Sequence, residues 1–298
     1  MSLDFKGTAA VVRRALERSF TALPAGDALW RGTAGPAARE VRVDLERFDD
    51  DRAAVRIEAE VGAAPELTDS VAAACIIEND ALVFGRFRHR GGAVVVEQAV
   101  LGGHTLHVQE VRVSVWAVGW AAGAFADRIG ARLDGDSVAE SLPLARVEPR
   151  RGAEARVDSA RERVERFLRE RYGTFEDDPH WGYHGGFGSA RVFCTVRHYL
   201  ETSTAIVVAS PLLSGVESTP ELAQELHEIM TREQLGRFAL SVEHGELWCE
   251  HALLGDDLDP DELHTAIDAV ARISDAEDDR LQARFGGRRY ADLMGGAG

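Results

Sequence analysis

The chain has 298 residues, 45% of them apolar, which is enough length and hydrophobic content for two domains with their own cores. Fifty acidic residues against 34 basic ones leave a net charge of −16. That argues against nucleic acid and against an anionic membrane as partners, because both demand a cationic face.

Phe5, Val12, Leu16 and Phe20 form a helical stripe, behind an N-terminus without the succession of a signal peptide. Lys6 is the sole lysine and has no glycine-rich loop around it, which argues against Schiff-base and Walker-type chemistry. Val41 to Phe48 and Ala53 to Val61 read as strands around the acidic turn Asp49-Asp50-Asp51. Leu67 to Ile77 reads as a helix, and Ala81 to His89 and Ala93 to Leu101 as strands flanking Gly91-Gly92. Val111, Val113 and Val115 alternate like a strand, whereas Trp116 and Trp120 are spaced like a helix face; the region is read as helix. Uncharged runs such as Val113 to Ala126 fall short of the ~20 residues that cross a bilayer. Asp136 to Asp158, with Pro143, Pro149 and Arg150-Arg151-Gly152, has the composition of a linker.

Ser159 to Tyr172 then reads as a helix, and Arg191 to His198 with Ala205 to Leu212 as a hairpin. Ser218 or Thr219 caps a helix that Pro220 opens. Phe238, Leu240 and Val242 alternate along a strand, His244-Gly245 turns, and Glu246 to Leu254 returns. Asp259-Pro260-Asp261-Glu262 starts the last helix, and the tail after Gly287 should be loosely held.

The two halves repeat. Gly85-Arg86-Phe87 recurs as Gly236-Arg237-Phe238, Val96 to Gly102 recurs as Cys249 to Gly255, and Asp127 to Leu133 recurs as Asp279 to Phe285, at offsets of 151, 153 and 152. Each copy reads α-ββ-α-ββ-α. The expected fold is α+β, with two tandem copies of an antiparallel sheet and helices packed on one face. The first domain spans 1–136, a linker 137–156, the second domain 157–287 and a tail 288–298.

Chemistry is scarce. Cys75, Cys194 and Cys249 form no C-x-x-C pair and fit reduced, buried thiols of a cytoplasmic protein. G-x-S-x-G, H-E-x-x-H and Walker signatures are absent, and Gly185-Gly186-Phe187-Gly188 reads as a flexible turn. His180 and His184 have metal-ligand spacing for a helix, but Pro179, Gly182 and Gly185 favour a surface loop. Cys249 and His251 share a strand face, which is expected to be the core side. A metal-dependent or thiol enzyme on these four residues is the alternative reading; a structural module in one fixed assembly is another. Asp256, Asp257, Asp259 and Asp261 read as a solvated helix start. No cofactor and no metal are expected.

The remaining candidate is surface. If Phe238, Leu240 and Val242 face the helices, then Arg237, Ala239, Ser241 and Glu243 face outward beside Trp248, Glu250 and Ala252. Trp248 would anchor an apolar side chain of a partner, with Arg237 beside it and with Trp181 and Tyr183 joining from the loop before the hairpin. The competing reading packs Trp248 against the other copy or under the linker.

Gly182-Tyr183-His184-Gly185-Gly186-Phe187-Gly188-Ser189-Ala190-Arg191-Val192-Phe193, Ala209-Ser210-Pro211-Leu212-Leu213, Gly236-Arg237-Phe238 and Phe285-Gly286-Gly287 together resemble the YbjN-like and type III secretion chaperone-like (CesT-type) domains of actinobacteria. Tandem versions are called TY-Chap peptide-binding chaperone domains. The resemblance covers about residues 155 to 287 and extends to the first half through the repeat. It implies α+β domains that bind peptide segments of partner proteins without an enzymatic role. Chaperones of this fold pair as dimers. Two copies in one chain are therefore expected to pair internally, giving a monomeric pseudo-dimer.

Overall fold

The computed structural model describes residues 3–20, 22–24, 29–49, 52–135, 152–173, 175–178, 182–199 and 203–295. In the first half α1 (Leu3–Ser19) precedes four strands, β1 (Ala22–Pro24), β2 (Leu29–Ala34), β3 (Arg39–Arg47) and β4 (Ala53–Ala63). Then come α2 (Asp69–Asn79), β5 (Arg86–Arg90), β6 (Ala93–Leu101) and α3 (Val108–Leu133). The second half runs α4 (Ala153–Tyr172), β7 (Glu176–Asp178), β8 (Gly182–Phe187), β9 (Ala190–Tyr199), β10 (Ser203–Ser214), α5 (Pro220–Arg232), β11 (Arg237–Ser241), β12 (Glu246–Leu254) and α6 (Pro260–Phe285). It ends in β13 (Arg288–Arg289) and α7 (Tyr290–Gly295).

Two antiparallel sheets result, ordered β1-β2-β3-β4-β6-β5 and β7-β8-β9-β10-β12-β11, with β13 attached to β10. The strand order is the same in both. The fold is the expected α+β with two antiparallel sheets, and α1 and α3 pack on the first sheet while α4 and α6 pack on the second. The described residues fall into two compact units, one within 1–78, 84–140 and 223–234, the other within 79–83, 141–222 and 235–298.

The likeness extends to detail. Thr68 Oγ1 accepts from the Val71 amide at the start of α2, and Thr219 Oγ1 accepts from the Leu222 amide at the start of α5. β4 is bulged between Glu60 and Gly62, and β10 between Pro211 and Leu213. A proline has no N–H to give a ladder, so the bulge is where Pro211 fits. Gly85 and Gly236 both have positive φ, +84° and +88°, and a Cβ at Gly85 would lie 2.9 Å from the Glu97 carbonyl oxygen.

Four expectations are corrected. Among the described residues each copy has four strands before its central helix, not two, because β2 and β8 carry glycines that weaken the strand signal while hairpin pairing supplies the backbone partners. Gly185 belongs to β8 rather than to a flexible turn, and its missing Cβ admits the Phe175 ring against the strand. α4 begins at Ala153, inside the expected linker. The tail is not loose over its described part: β13 pairs with β10 (Leu213↔Arg289, Ser214↔Arg288) and α7 packs on β9 and β10.

Candidate functional site

Successive side chains of a strand point to opposite faces, so the pairing register sorts the second sheet completely. Tyr183, Cys194, Val208, Cys249 and His251 share the face that meets α4 and α6. His184, Phe193, Arg237, Trp248 and Glu250 share the opposite face. Among the described residues, these two sets divide the candidates that sequence reasoning had grouped together.

Arg237 does not face solvent. It is 4% exposed, and Ala239 beside it 1%. Its guanidinium donates to Glu250 Oε2 at 2.7 Å and to the carbonyl oxygens of Leu82 at 2.6 Å and Val83 at 3.0 Å. Asn79 Nδ2 donates to the Phe238 carbonyl at 2.9 Å. Residues 79–83, part of the same compact unit, thus lie along β11 and cover the strand face that alternation had assigned to water. Burial first, and then Glu250, raises the Asp80 carboxyl above the usual carboxylate range.

Arg86 is the first-copy counterpart. Its Nε donates to Glu97 Oε1 at 2.9 Å, and Arg88 reaches the same oxygen at 3.0 Å. Burial of Glu97 disfavours its charge, but Arg86, Arg88 and Arg56 outweigh this and hold the carboxyl below its ordinary value. The repeated Gly-Arg-Phe and its partner glutamate therefore record a buried cross-strand ion pair. The matched Gln98 and His251 also act alike, each taking up the amide of the repeated glycine. Gln98 Oε1 accepts from the Gly85 amide at 2.6 Å, and His251 Nδ1 from the Gly236 amide at 3.4 Å.

This bears on the alternative enzyme reading. Cys249 is 1% exposed and faces α6, and His251 is engaged with Gly236. His184 lies on the other face, where its Nδ1 accepts from Arg191 at 2.7 Å and its ring stands 5.6 Å from Phe193. The sheet separates them, so His184 does not join Cys249 and His251; His180 lies outside the described residues. Burial pushes the Cys75 thiol up to about 12 and the Cys194 thiol higher still, so both stay protonated at neutral pH. Asp259 caps α6 by accepting from the Asp261 amide at 2.8 Å, and Asp256 accepts from the Thr204 amide at 3.1 Å.

What the face opposite the helices does assemble is aromatic, around a Phe193 that is itself buried. Phe193 stands at the centre, with Trp248 edge-on at 6.5 Å and Tyr290 of α7 edge-on at 6.0 Å. Trp248 is half-buried, and its Nε1 donates to Glu246 Oε2 at 3.4 Å. Tyr183, expected beside Trp248, points to the helix face and donates to Glu165 Oε2 at 3.5 Å; burial, then the Glu165 charge, raises its pKa. The physical reason is that 182–187 is a strand, so neighbours alternate. Trp181 lies outside the described residues. Sequence reasoning missed Phe193 and Tyr290. The period-two pattern of Phe193 against Cys194 carried the signal for the first, and nothing local marked the second.

Residues 158–293 match the family model TY-Chap1, described as T3SS (YopN, CesT) and YbjN peptide-binding chaperone 1. Residues 158–293 are a YbjN/CesT-like chaperone domain. No curated protein matches the chain. The TY-Chap1 domain contains the whole aromatic cluster and both sheet faces described above. No described helix is long and apolar enough to cross a membrane.

Proposed function

We propose that the protein is a non-enzymatic chaperone or adaptor of the cytoplasm that holds an extended segment of a partner protein. The observation that carries this reading is the TY-Chap1 domain's aromatic face, Phe193 with half-buried Trp248, beside a β10 edge that accepts a strand. Strand addition gives affinity through backbone hydrogen bonds, and an aromatic face gives preference for particular side chains. The net charge of −16 favours basic segments and speeds their encounter.

The first domain, built on the same strand order, is proposed as a second copy of this scaffold, and the two are proposed to pair within one chain. The make-up of the compact units supports it. Arg86 donates to the Glu233 carbonyl at 2.9 Å within one unit, and Arg237 donates to the Leu82 carbonyl at 2.6 Å within the other. Donors and acceptors are each related by 151 residues, the relation expected of a paired duplicate.

The test is selection from a displayed library of random dodecamers on the folded chain, followed by fluorescence polarisation with the enriched peptides. Trp248→Ala is expected to weaken binding by roughly tenfold to a hundredfold, the cost of losing an aromatic anchor. If no peptide is enriched above an unrelated acidic protein, the reading fails.

A further inference from the structure

Among the described residues, the sheet of the TY-Chap1 domain carries one strand more than the sheet of the first half. β9 pairs with β10 only as far as Ala209, and β3 pairs with β4 only as far as the equivalent Glu58. Past that point, beyond the shared bulge, β13 pairs with β10 at Leu213 and Ser214. Among the described residues no strand takes the corresponding edge of β4, from Glu60 to Ala63. β13 thus continues the β9 side of the sheet past the point where β9 ends.

The added strand delivers a side chain to the face described above: Tyr290, the next residue, meets Phe193 edge-on. The segment is held otherwise by ion pairs between the half-buried Arg289 and more exposed carboxylates. Arg289 donates to Asp292 Oδ2 at 3.0 Å and Oδ1 at 2.7 Å, and it pairs with Asp279 of α6. Exposed pairs of this kind contribute little and are screened by salt. A two-residue ladder, the Tyr290–Phe193 ring contact, the packing of the short α7 on β9 and β10 and surface ion pairs make a clasp of limited local stability.

We propose that Arg288–Gly295 is a resident stand-in for the partner segment, occupying in cis the β10 edge and the Phe193 face that a client takes in trans. This rests on the peptide-binding reading and deepens it by naming the client's chemistry. The client is a segment that is extended where its basic residue pairs with the sheet, with an aromatic residue next in sequence. Its basic residue is held by Asp279, its backbone adds at Leu213 and Ser214, and its ring displaces that of Tyr290.

The experiment uses the full chain and a labelled peptide of its own residues 286–295, followed by fluorescence polarisation. Wild type, with its site occupied about nine-tenths of the time, should bind the probe about tenfold more weakly than the full-length variant R289A/Y290A. A probe carrying Ala in place of its tyrosine should not compete. Equal binding by wild type and a folded variant overturns the proposal. If R289A/Y290A does not fold, hydrogen exchange on wild type decides. Adding a peptide selected from the library should speed exchange over residues 288–295 while leaving Leu213 and Ser214 protected. A library peptide that binds without releasing the tail overturns this proposal and leaves the peptide-binding reading standing. Absence of any peptide binding overturns both.

Discussion

His227 shows how a single buried group sets a pH limit. It lies on α5, in the same compact unit as Arg86, Arg88 and Glu97, and is 4% exposed. Burial, then the charges of Arg88, His89 and Arg86, push its pKa down to about 4 from an ordinary 6.5, with Glu97 opposing. Between those values the unfolded chain binds a proton that the folded chain refuses. Its contribution is therefore complete above about pH 6.5 and lost as pH falls toward 4. Urea unfolding should show a loss of about 2 kcal/mol between pH 6.5 and 4.5. His227→Leu should flatten the slope in that window; an unchanged slope would assign it to other groups. The Glu97 contribution, with its carboxyl held low by arginines, is lost only at still lower pH. None of this is legible in the sequence, because a histidine's partners come from elements distant along the chain.

At the scale of the element, glycines differ in whether the backbone needs them. Gly236 sits at φ +88°, and a Cβ there would lie 3.1 Å from Ile273 Cδ1. Gly236→Ala should cost about 1–3 kcal/mol, since L side chains rarely adopt that conformation. Gly130 lies within α3 with nothing near its missing Cβ. Gly130→Ala should stabilise by roughly 0.5–1 kcal/mol through helix propensity alone. Thermal unfolding of the two variants checks both signs. The capped helices were legible in sequence, because Thr219-Pro220 and Asp259-Pro260 are local signals whose side chains reach only the next turn. β2 and β8 were not legible. Their pairing partners lie on neighbouring strands, and glycine-bearing segments such as Gly182–Phe187 become strands only when those partners form.

For the whole molecule, the proposed internal pairing predicts a solution mass near 32.4 kDa by light scattering, independent of concentration. A mass of twice that value would instead place the pairing between chains. The charge of −16 works at this scale as well, keeping copies apart and drawing basic segments in, so binding of basic peptides should weaken as salt rises.

By itself the sequence determined the duplication, the α+β class and the absence of familiar catalytic signatures, because these reside in local pattern and in repeated spacing. It also carried the recurrence of the segments that hold Arg237 and Glu250, though neither their pairing nor their burial. Only the tertiary structure decided which strand faces meet, that Tyr183 and Trp248 stand on opposite sides of a sheet, and that Tyr290 completes a cluster with Phe193. Burial and proximity are products of register and of segments packed from far along the chain: 79–83 lie on β11, and the tail lies on β10. Neither leaves a trace in the residues it covers.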